Sequence, residues 1–416
     1  MFSVLIENNF IDELQKRAEK CIIKERNKYK FLHDFILEFC KNNKLIIRNI
    51  DFLLDEHKYW DNIDIYSISP ETMSKKLLEN LCQNFGNKFL LRMNKEGEKY
   101  SIQYDLRYIC NIQLIQKYNN LSIQQLIPLN KKNGINLFPS FLEIIDLYKF
   151  LYNPDFAEDW EDLYNKIKKL EKDFFDPQIK KIISNNKLKI NKEKNSEINS
   201  IKLLCLEFIK SSNFLIHGDV SYLIYQPKKS IKSNIDEVKY IEIVSENDIK
   251  TDFKSFIQFF EKHTKYGFIT KKNTLYLPGE ILMEINTIYM IYTQYNTKTN
   301  IEIPILEIYN NCSYELIHYH ELNDLKVVDA ITQLRFLYIK IWHKIIKQKI
   351  NSNNENECKN YIHYIYEQIK FYREKIDLYE CKKNYVGTYV NIDIYEKINK
   401  IFNSKLKYSY YCHNIL

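Results

Sequence analysis

No stretch of this 416-residue chain approaches the ~18–20 uninterrupted apolar residues of a membrane-spanning helix, so no membrane span is expected. The opening segment, MFSVLIENNFIDELQKRAEKC, meets acidic residues at once and lacks the pattern of a secretory signal. Nine cysteines are scattered without a C-x-x-C pair, and an odd number over this length speaks against a disulfide framework or a zinc site. Together these absences predict a soluble, intracellular protein. Glycine is scarce, at seven residues, and no P-loop, G-x-S-x-G or G-x-G-x-x-G is present, so the chemistries those turns support have no footing here.

The charge is basic but modest. A formal +7 spread through the chain is compatible with nucleic-acid binding without pointing to it. The 33 tyrosines accompany an excess of Ile, Asn and Lys, with alanine scarce. That bias matches an AT-rich coding genome, so Asn- and Lys-rich runs carry little functional information.

Residues 10–43 have apolar positions at helical spacing and neither proline nor glycine, which predicts a helix. In SPETMSKKLLENLC, Ser69 is the expected N-cap and Pro70 the first helical residue. KFLLRMNKEGEKYSIQYDLRYICNIQLI reads as two or three strands with a turn at NKEGEK. A second helical block opens at PSFLEIIDLYKFLYNP, where Ser140 and Glu143 have capping-box spacing. In the helix that follows, Trp160, Leu163, Ile167, Leu170 and Phe174 fall on one face. Residues 184–199 are polar and aperiodic and are read as a linker. The second half then repeats the earlier order of elements without residue identity: helix, strand, a turn at Gly218, helix, strand, helix, three strands, long helices.

Four pieces carry a family likeness. NKLIIRN…IDIYSISPETMSKKLLENL resembles a strand, Gly-Gly turn and Asp-x-Asp-Phe-Tyr-Ser strand followed by a helix. YICNIQLI resembles a strand bearing a third carboxylate, and FPSFLEIIDLYKFLYNPDFAEDWEDLYNKIKKLEKDF a helical link. IEIPILEIYNNCSYELI…VVDAITQLRFLYIKIW resembles a second domain's strand, turn and long helix. In this order, over about residues 30–345, the chain resembles the poly(A) polymerases of large nucleo-cytoplasmic DNA viruses, of mimivirus and African swine fever virus type and more distantly of vaccinia type. The resemblance implies an α+β fold of two tandem nucleotidyltransferase-like domains of polymerase-β type, joined and flanked by helices. It also implies dimers that extend RNA 3′ ends, with ATP and Mg²⁺ or Mn²⁺ where active, in the cytoplasm (viral factory or virion), with no membrane partner. The boundaries expected are 1–43 (helical), 44–135 (first domain), 136–183 (helical link), 184–199 (linker) and 200–416 (second domain with C-terminal helices).

Adding AMP to an RNA end is an in-line displacement for which two metal ions hold the attacking oxygen, the α-phosphate and the departing pyrophosphate. Two carboxylates one residue apart on a strand share a face, and a third on the neighbouring strand completes the cage. Carried over position by position, the turn glycines fall on Asn49 and Ile50, the first carboxylate on Asn62, the second on Asp64 and the third on Asn111. Amides have replaced two anions out of three, so the expected site is degenerate and no metal set is assigned. Asp61, through a strand bulge, and Asp105 are the available substitutes. In the second half, the HGDVS turn (His217–Ser221) and Glu242 match the pattern loosely, and Asp219 and Glu242 are read as structural. HYHE (His318–Glu321) is read as solvated or hydrogen-bonded rather than metal-binding, and the basic, aromatic segments KFYREK, KKNYVGTY and KLKYSYY as a surface that could stack on RNA. The function expected is that of a poly(A) polymerase-like subunit in mRNA 3′ polyadenylation, catalytically impaired, gripping RNA or dimerising with itself or an active paralogue. The alternatives are an active adenylyltransferase using Asp64 with a shifted carboxylate set, and a purely structural or regulatory protein.

Overall fold

The computed structural model describes residues 27–49, 53–54, 62–94, 99–115, 117–118, 121–122, 129–151, 160–184, 186–189, 192–212, 214–226, 230–245, 249–277, 284–296, 301–310, 319–351 and 355–378. The chain divides into two compact units that part between Glu143 and Ile144.

The first unit opens with helix 27–42, whose Tyr29, Leu32, Ile36 and Cys40 recur at helical spacing and are all buried. Its strands are β1 (Ile46–Arg48), β2 (Ile63–Ser67), β3 (Phe89–Met93), β4 (Lys99–Tyr104) and β5 (Arg107–Leu114), then a ribbon of β6 (Lys117–Tyr118) and β7 (Leu121–Ser122), then β8 (Asn130–Lys132) and β9 (Ile135–Leu137). Seven of them form one sheet in the order β3-β4-β5-β2-β1-β9-β8. β2 lies antiparallel to β1 and parallel to β5, and β1 lies parallel to β9. Strand alternation buries Ile63 and Ile65 of β2 completely and turns Asp64 to the opposite face. Helix Pro70–Phe85 starts on its proline as expected and buries Ser74, Leu77 and Leu81. Ser69 holds the cap position but its side chain makes no capping bond.

The second unit contains β10 (Leu215–His217), β11 (Ile241–Ser245), β12 (Gly267–Leu277), β13 (Glu284–Asn296), β14 (Ile301–Asn310), β15 (Tyr319–Leu322) and β16 (Leu325–Val328). They form a sheet in the order β12-β13-β14-β11-β10-β16-β15. Slot for slot, this is the first sheet again, with the same parallel and antiparallel neighbours. On one face, Ile216, Ile241, Ile243 and Ile308 pack with Ile198 and Cys205 of helix Ser196–Lys210 and with Phe256 and Phe260 of helix Ile249–His263. The other face receives helix Ala330–Asn351, whose Phe336 stacks on His217 at 4.4 Å.

Three local expectations are corrected. Helix Ser196–Lys210 begins inside the stretch 184–199, because Asn195 caps it, Oδ1 accepting the N–H of Glu197 (3.0 Å) and of Ile198 (3.4 Å). After helix Trp160–Leu170, residues Glu171–Phe175 form a π turn. The wider turn shifts the buried face by one residue, so Phe175 is buried and Phe174 half-buried; ahead of it Tyr164, Ile167 and Leu170 are buried and Leu163 half-buried. Finally, the capping box at Ser140 does not form: Ser140 lies within helix Ser140–Phe150 and Glu143 turns its carboxylate to Arg48.

The same π turn presents Glu171 to a polar cluster in the second unit. Its carboxylate accepts from Tyr148 Oη (2.7 Å) and Tyr338 Oη (2.5 Å) and pairs with Arg373 Nε at 3.0 Å. Every acceptor of this buried acid that the cluster uses is thereby satisfied, which is the condition for keeping a carboxylate in a core.

Candidate functional site

In the first unit the pairing register sets three side chains next to one another. Arg48 of β1 faces Asp64 of β2, and Asp64 faces Asn111 of β5. Asp64 is half-buried, and its Oδ1 accepts from Asn111 Nδ2 at 2.8 Å and from Gln113 Nε2 at 3.4 Å. The other end of the Asn111 amide, Oδ1, accepts from Ser101 Oγ at 2.7 Å. The reversed amide would set a carbonyl oxygen against a carboxylate oxygen, so chemistry selects the orientation seen. The Arg48 guanidinium meets both carboxylate oxygens of Glu143 at 3.0 Å and lies 5.0 Å over the Phe138 ring. Tyr66, one step along the same face, stacks on Phe138 at 5.2 Å, and burial pushes its phenol up to about 12.

This chemistry is the reverse of a metal cage. Where a third anion would stand, Asn111 presents an N–H donor to the Asp64 carboxylate, and the guanidinium of Arg48 on the same face is paired with Glu143. Each missing carboxylate ~4 Å from a divalent ion forgoes roughly 8 kcal/mol of attraction at an effective dielectric of ~20, before desolvation is subtracted. Two buried amide oxygens, Asn62 Oδ1 and Gln113 Oε1, have no hydrogen-bond partner, but they carry no charge. A two-ion centre therefore does not fit the residues described on this face.

Of the residues expected at the site, Asp64 and Asn111 are in direct contact and Asn62 lies just ahead of β2. Asn49 follows β1, its carbonyl accepting the N–H of Leu53 at 3.1 Å. Ile50 and Asp61 lie outside the described residues. Asp105 is not brought to the site. It occupies the two-residue β4–β5 turn, with φ of 46° at Asp105 and 67° at Leu106, the backbone such a tight hairpin demands. From there its carboxylate pairs with Lys28 at 3.2 Å and Lys88 at 3.8 Å. The strand rise of ~3.3 Å per residue puts it more than ~13 Å from the Asn111 position.

The matching slots of the second sheet hold a fuller acidic set. His217 of β10 faces Glu242 of β11, which in turn faces Glu307 of β14. All three are buried, and Lys340, from helix Ala330–Asn351, forms an ion pair with Glu242. Asp219 adjoins them, its Oδ1 accepting from Gln368 Nε2 at 3.0 Å and Tyr364 Oη at 3.1 Å. Burial lifts the Glu242 carboxyl to about 7 and raises Glu307 as well. Two neighbouring carboxyls served by one lysine hold a proton more tightly than either would alone. Burial pulls Lys340 down, but Glu242, Asp219 and Glu307 together hold it above its ordinary value. A cavity of about 260 Å³ opens beside this cluster, lined in part by Asp219, Tyr240, Glu242, Lys340, Tyr361 and Tyr364.

Sequence reading missed Glu307 and Lys340, because both lie far along the chain from Glu242, on β14 and on helix Ala330–Asn351. The signal was the duplicated order itself: LEIYN occupies the slot of CNIQL, which puts Glu307 in the place of Asn111. Ser221 is not directed to a ligand, for its Oγ lies 3.0 Å from Tyr372 Oη in the interior. KFYREK is also packed rather than displayed: Tyr372 is fully buried and Arg373 bonds Asp176 at 2.8 Å. The KKNYVGTY and KLKYSYY segments lie outside the described residues. His320 sits on β15 edge-on to Tyr225 at 6.4 Å, and His318 lies outside the described residues. Among the described residues, no group of three or more His, Cys, Asp or Glu is disposed to hold a metal ion, and no helix is long and apolar enough to cross a membrane.

No family model matches the chain. Among curated proteins it is similar to an uncharacterized protein of African swine fever virus: 24% identical over 295 residues in the Tick/Malawi isolate, covering 68% of this chain and 66% of that protein. The counterparts in the Tick/South Africa and Warthog/Namibia isolates are 23% identical over 261 residues, covering 60% of this chain and 58% of theirs. The match thus spans less than two thirds of each relative's length. Among solved structures, the Megavirus polyadenylate synthase superposes with a TM-score of 0.60 at 18% identity, covering 90% of this chain and 76% of that one. The fold is α+β, with two seven-stranded mixed sheets of the nucleotidyltransferase-like kind seen in that synthase.

Proposed function

We propose that this chain is a polyadenylate synthase-like subunit that serves mRNA 3′-end polyadenylation without catalysing it, engaging the RNA 3′ end and pairing with an active copy of the fold in the cytoplasm. The likeness to the Megavirus polyadenylate synthase supports the setting. One observation carries the loss of catalysis: on the first sheet, Asn111 donates an amide hydrogen to the lone carboxylate of Asp64. In an active centre of this kind, that contact would be two anions drawn together by a cation between them. Here the residues hold each other directly. The Arg48 guanidinium on this face is taken up by Glu143, so that pair adds no net charge for a metal ion. What remains among the described residues is a preformed polar surface suited to hydrogen-bonding a nucleotide, without a carboxylate set to activate its 3′-oxygen.

The test is primer extension. The purified chain, given ATP, an oligo(A) primer and Mg²⁺ or Mn²⁺, is expected to add no adenylate while still shifting the primer on a gel at low salt, the shift fading as salt rises. Robust extension that Asp64→Ala abolishes would establish an active enzyme instead. Absence of any salt-sensitive shift would leave the purely structural role.

A further inference from the structure

Among the described strands β3 is the outermost of the first sheet, and its register with β4 and β5 lays out two rows of side chains. In one row Arg92 faces Ser101, Ser101 faces Asn111, and Asn111 faces Asp64. In the next, Leu90 faces Gln103, and Gln103 faces Tyr108 across a shift in the β4–β5 register. Directly opposed residues of paired strands point to the same side, so Leu90, Arg92, Gln103 and Tyr108 share the face of Asp64. Helix 27–42 packs on the opposite face, where its Tyr29 meets the Tyr104 ring edge-on at 6.3 Å.

Three side chains of this edge are left without what they can bind. Leu90 is 49% exposed and Tyr108 48%, an apolar and an aromatic surface side by side in solvent. Between them Gln103 is only 3% exposed, and its amide oxygen has no hydrogen-bond partner. A buried acceptor in that state is costly, and a ligand laid between Leu90 and Tyr108 would bring it a donor. Arg92, exposed in the adjoining row, has no hydrogen-bond or ion-pair partner among the described residues. An open ring, an unanswered acceptor and an unpaired guanidinium match the parts of a single-stranded nucleotide: the base face, an N–H or ribose O–H donor, and the phosphate. A protein strand added to β3 would occupy its backbone groups and leave the Arg92 charge and the Gln103 oxygen unanswered.

We propose that single-stranded RNA lies across this edge, with a base against Tyr108 and Leu90, a phosphate on Arg92, and a base N–H or ribose 2′-hydroxyl donated to Gln103. The inference rests on the reading of the chain as an RNA-engaging subunit and names where that RNA lies. Arg92 stands three strands from Asp64, ~14 Å at the ordinary strand spacing, so RNA held here reaches the Asp64 face within a few nucleotides.

The experiment uses the full-length wild type, Tyr108→Ala, Tyr108→Phe, Arg92→Ala and, as a control on helix Pro70–Phe85, Lys75→Ala. Fluorescence anisotropy of a labelled oligo(A) strand over a range of salt reads affinity, and sedimentation reads oligomeric state. Tyr108→Ala is expected to weaken binding about tenfold, the loss of one stacked base, and Tyr108→Phe to bind as the wild type. Arg92→Ala is expected to weaken binding severalfold and to lower the slope of log affinity against log salt by about 0.7, one phosphate contact on a single strand. Lys75→Ala is expected to match the wild type. If the wild type binds and both alanine variants at the edge bind equally well, the proposal is overturned while the functional reading stands. A wild type without salt-sensitive binding overturns both. Loss of affinity accompanied by a change in oligomeric state assigns the edge to a protein contact and also overturns the proposal. Should Tyr108→Ala melt lower than the wild type, the salt slope of Arg92→Ala decides by itself.

Discussion

Replacing Asn111 by Asp restores the third anion of the first sheet and tests whether the present amide is a stabilising substitute or a neutral one. In the wild type the Asn111 amide gives a 2.8 Å hydrogen bond to the Asp64 carboxylate. A bond from a neutral donor to a charged acceptor contributes about 1.5–3 kcal/mol, all of which Asn111→Asp removes. In its place two carboxylates meet at ~4 Å, a repulsion of about 4 kcal/mol at an effective dielectric of ~20, which the half-exposed position of Asp64 roughly halves through solvent screening. Ser101 still donates to residue 111, so no other bond is lost. The sum is a destabilisation of about 4 kcal/mol at pH 8, where both carboxyls are ionised. At pH 5 the variant pair can share one proton, which turns the repulsion into a hydrogen bond and leaves a deficit of about 1 kcal/mol. Equilibrium urea unfolding followed by circular dichroism, at pH 5 and pH 8, measures both gaps. A deficit that is the same at the two pH values, or a variant as stable as the wild type at pH 8, would refute the electrostatic reading of this face.

Two further perturbations address the second unit. Gly218→Ala forces a left-handed backbone on alanine, about 1–2 kcal/mol, and drives its methyl into Glu242; an overall loss of about 4 kcal/mol is expected in urea unfolding, shrinking toward the backbone cost alone when Glu242 is also changed to Ala. The pH dependence follows from Glu242, which burial lifts to about 7 from its ordinary 4.5. The folded state therefore holds a proton that the unfolded chain releases between these values, so this carboxyl's contribution to stability is full below about 4.5 and is lost as pH rises through about 7. His217, which burial holds well below its usual range, works in the opposite sense, costing stability as pH falls below about 6.5. Glu242→Gln is accordingly expected to lose the first trend and keep the second, so its stability should fall relative to the wild type as pH is lowered from 8 to 5, by up to about 3 kcal/mol in unfolding free energy. Parallel pH profiles for the two proteins would contradict that assignment.

Much of the architecture was legible because its elements are locally encoded. Ile63 and Ile65 flank Asp64 with the alternation of a half-buried strand, and Pro70 marks a helix start from sequence alone. That the strands of Asp64 and Asn111 are neighbours was legible as well, from the order of the two strands in the family, whereas the hydrogen bond between the two side chains was not. The short strands β8, β9, β15 and β16 were not, because three or four residues show too little periodicity, and β9 and β16 earn their places by pairing with the distant β1 and β10. The π turn at Glu171 was invisible for a related reason: it is a one-residue shift selected by the bonds Glu171 makes to Tyr148, Tyr338 and Arg373, partners far apart in the chain. Lys340 escaped because a lysine among LYIKIW reads as the polar side of a helix, and only the tertiary fold shows that this side faces three acids.

The embrace of Gly218 by Glu242 also makes change in this half of the molecule directional. Opening space at this turn must first evict the Glu242 carboxylate, and evicting it strands the Lys340 ammonium in the interior. Each single step is costlier than standing still, so the change requires simultaneous replacements at 242 and 340. The arrangement works as a ratchet: with Glu242 seated against Gly218 and held there by Lys340, this turn is far easier to keep filled than to clear.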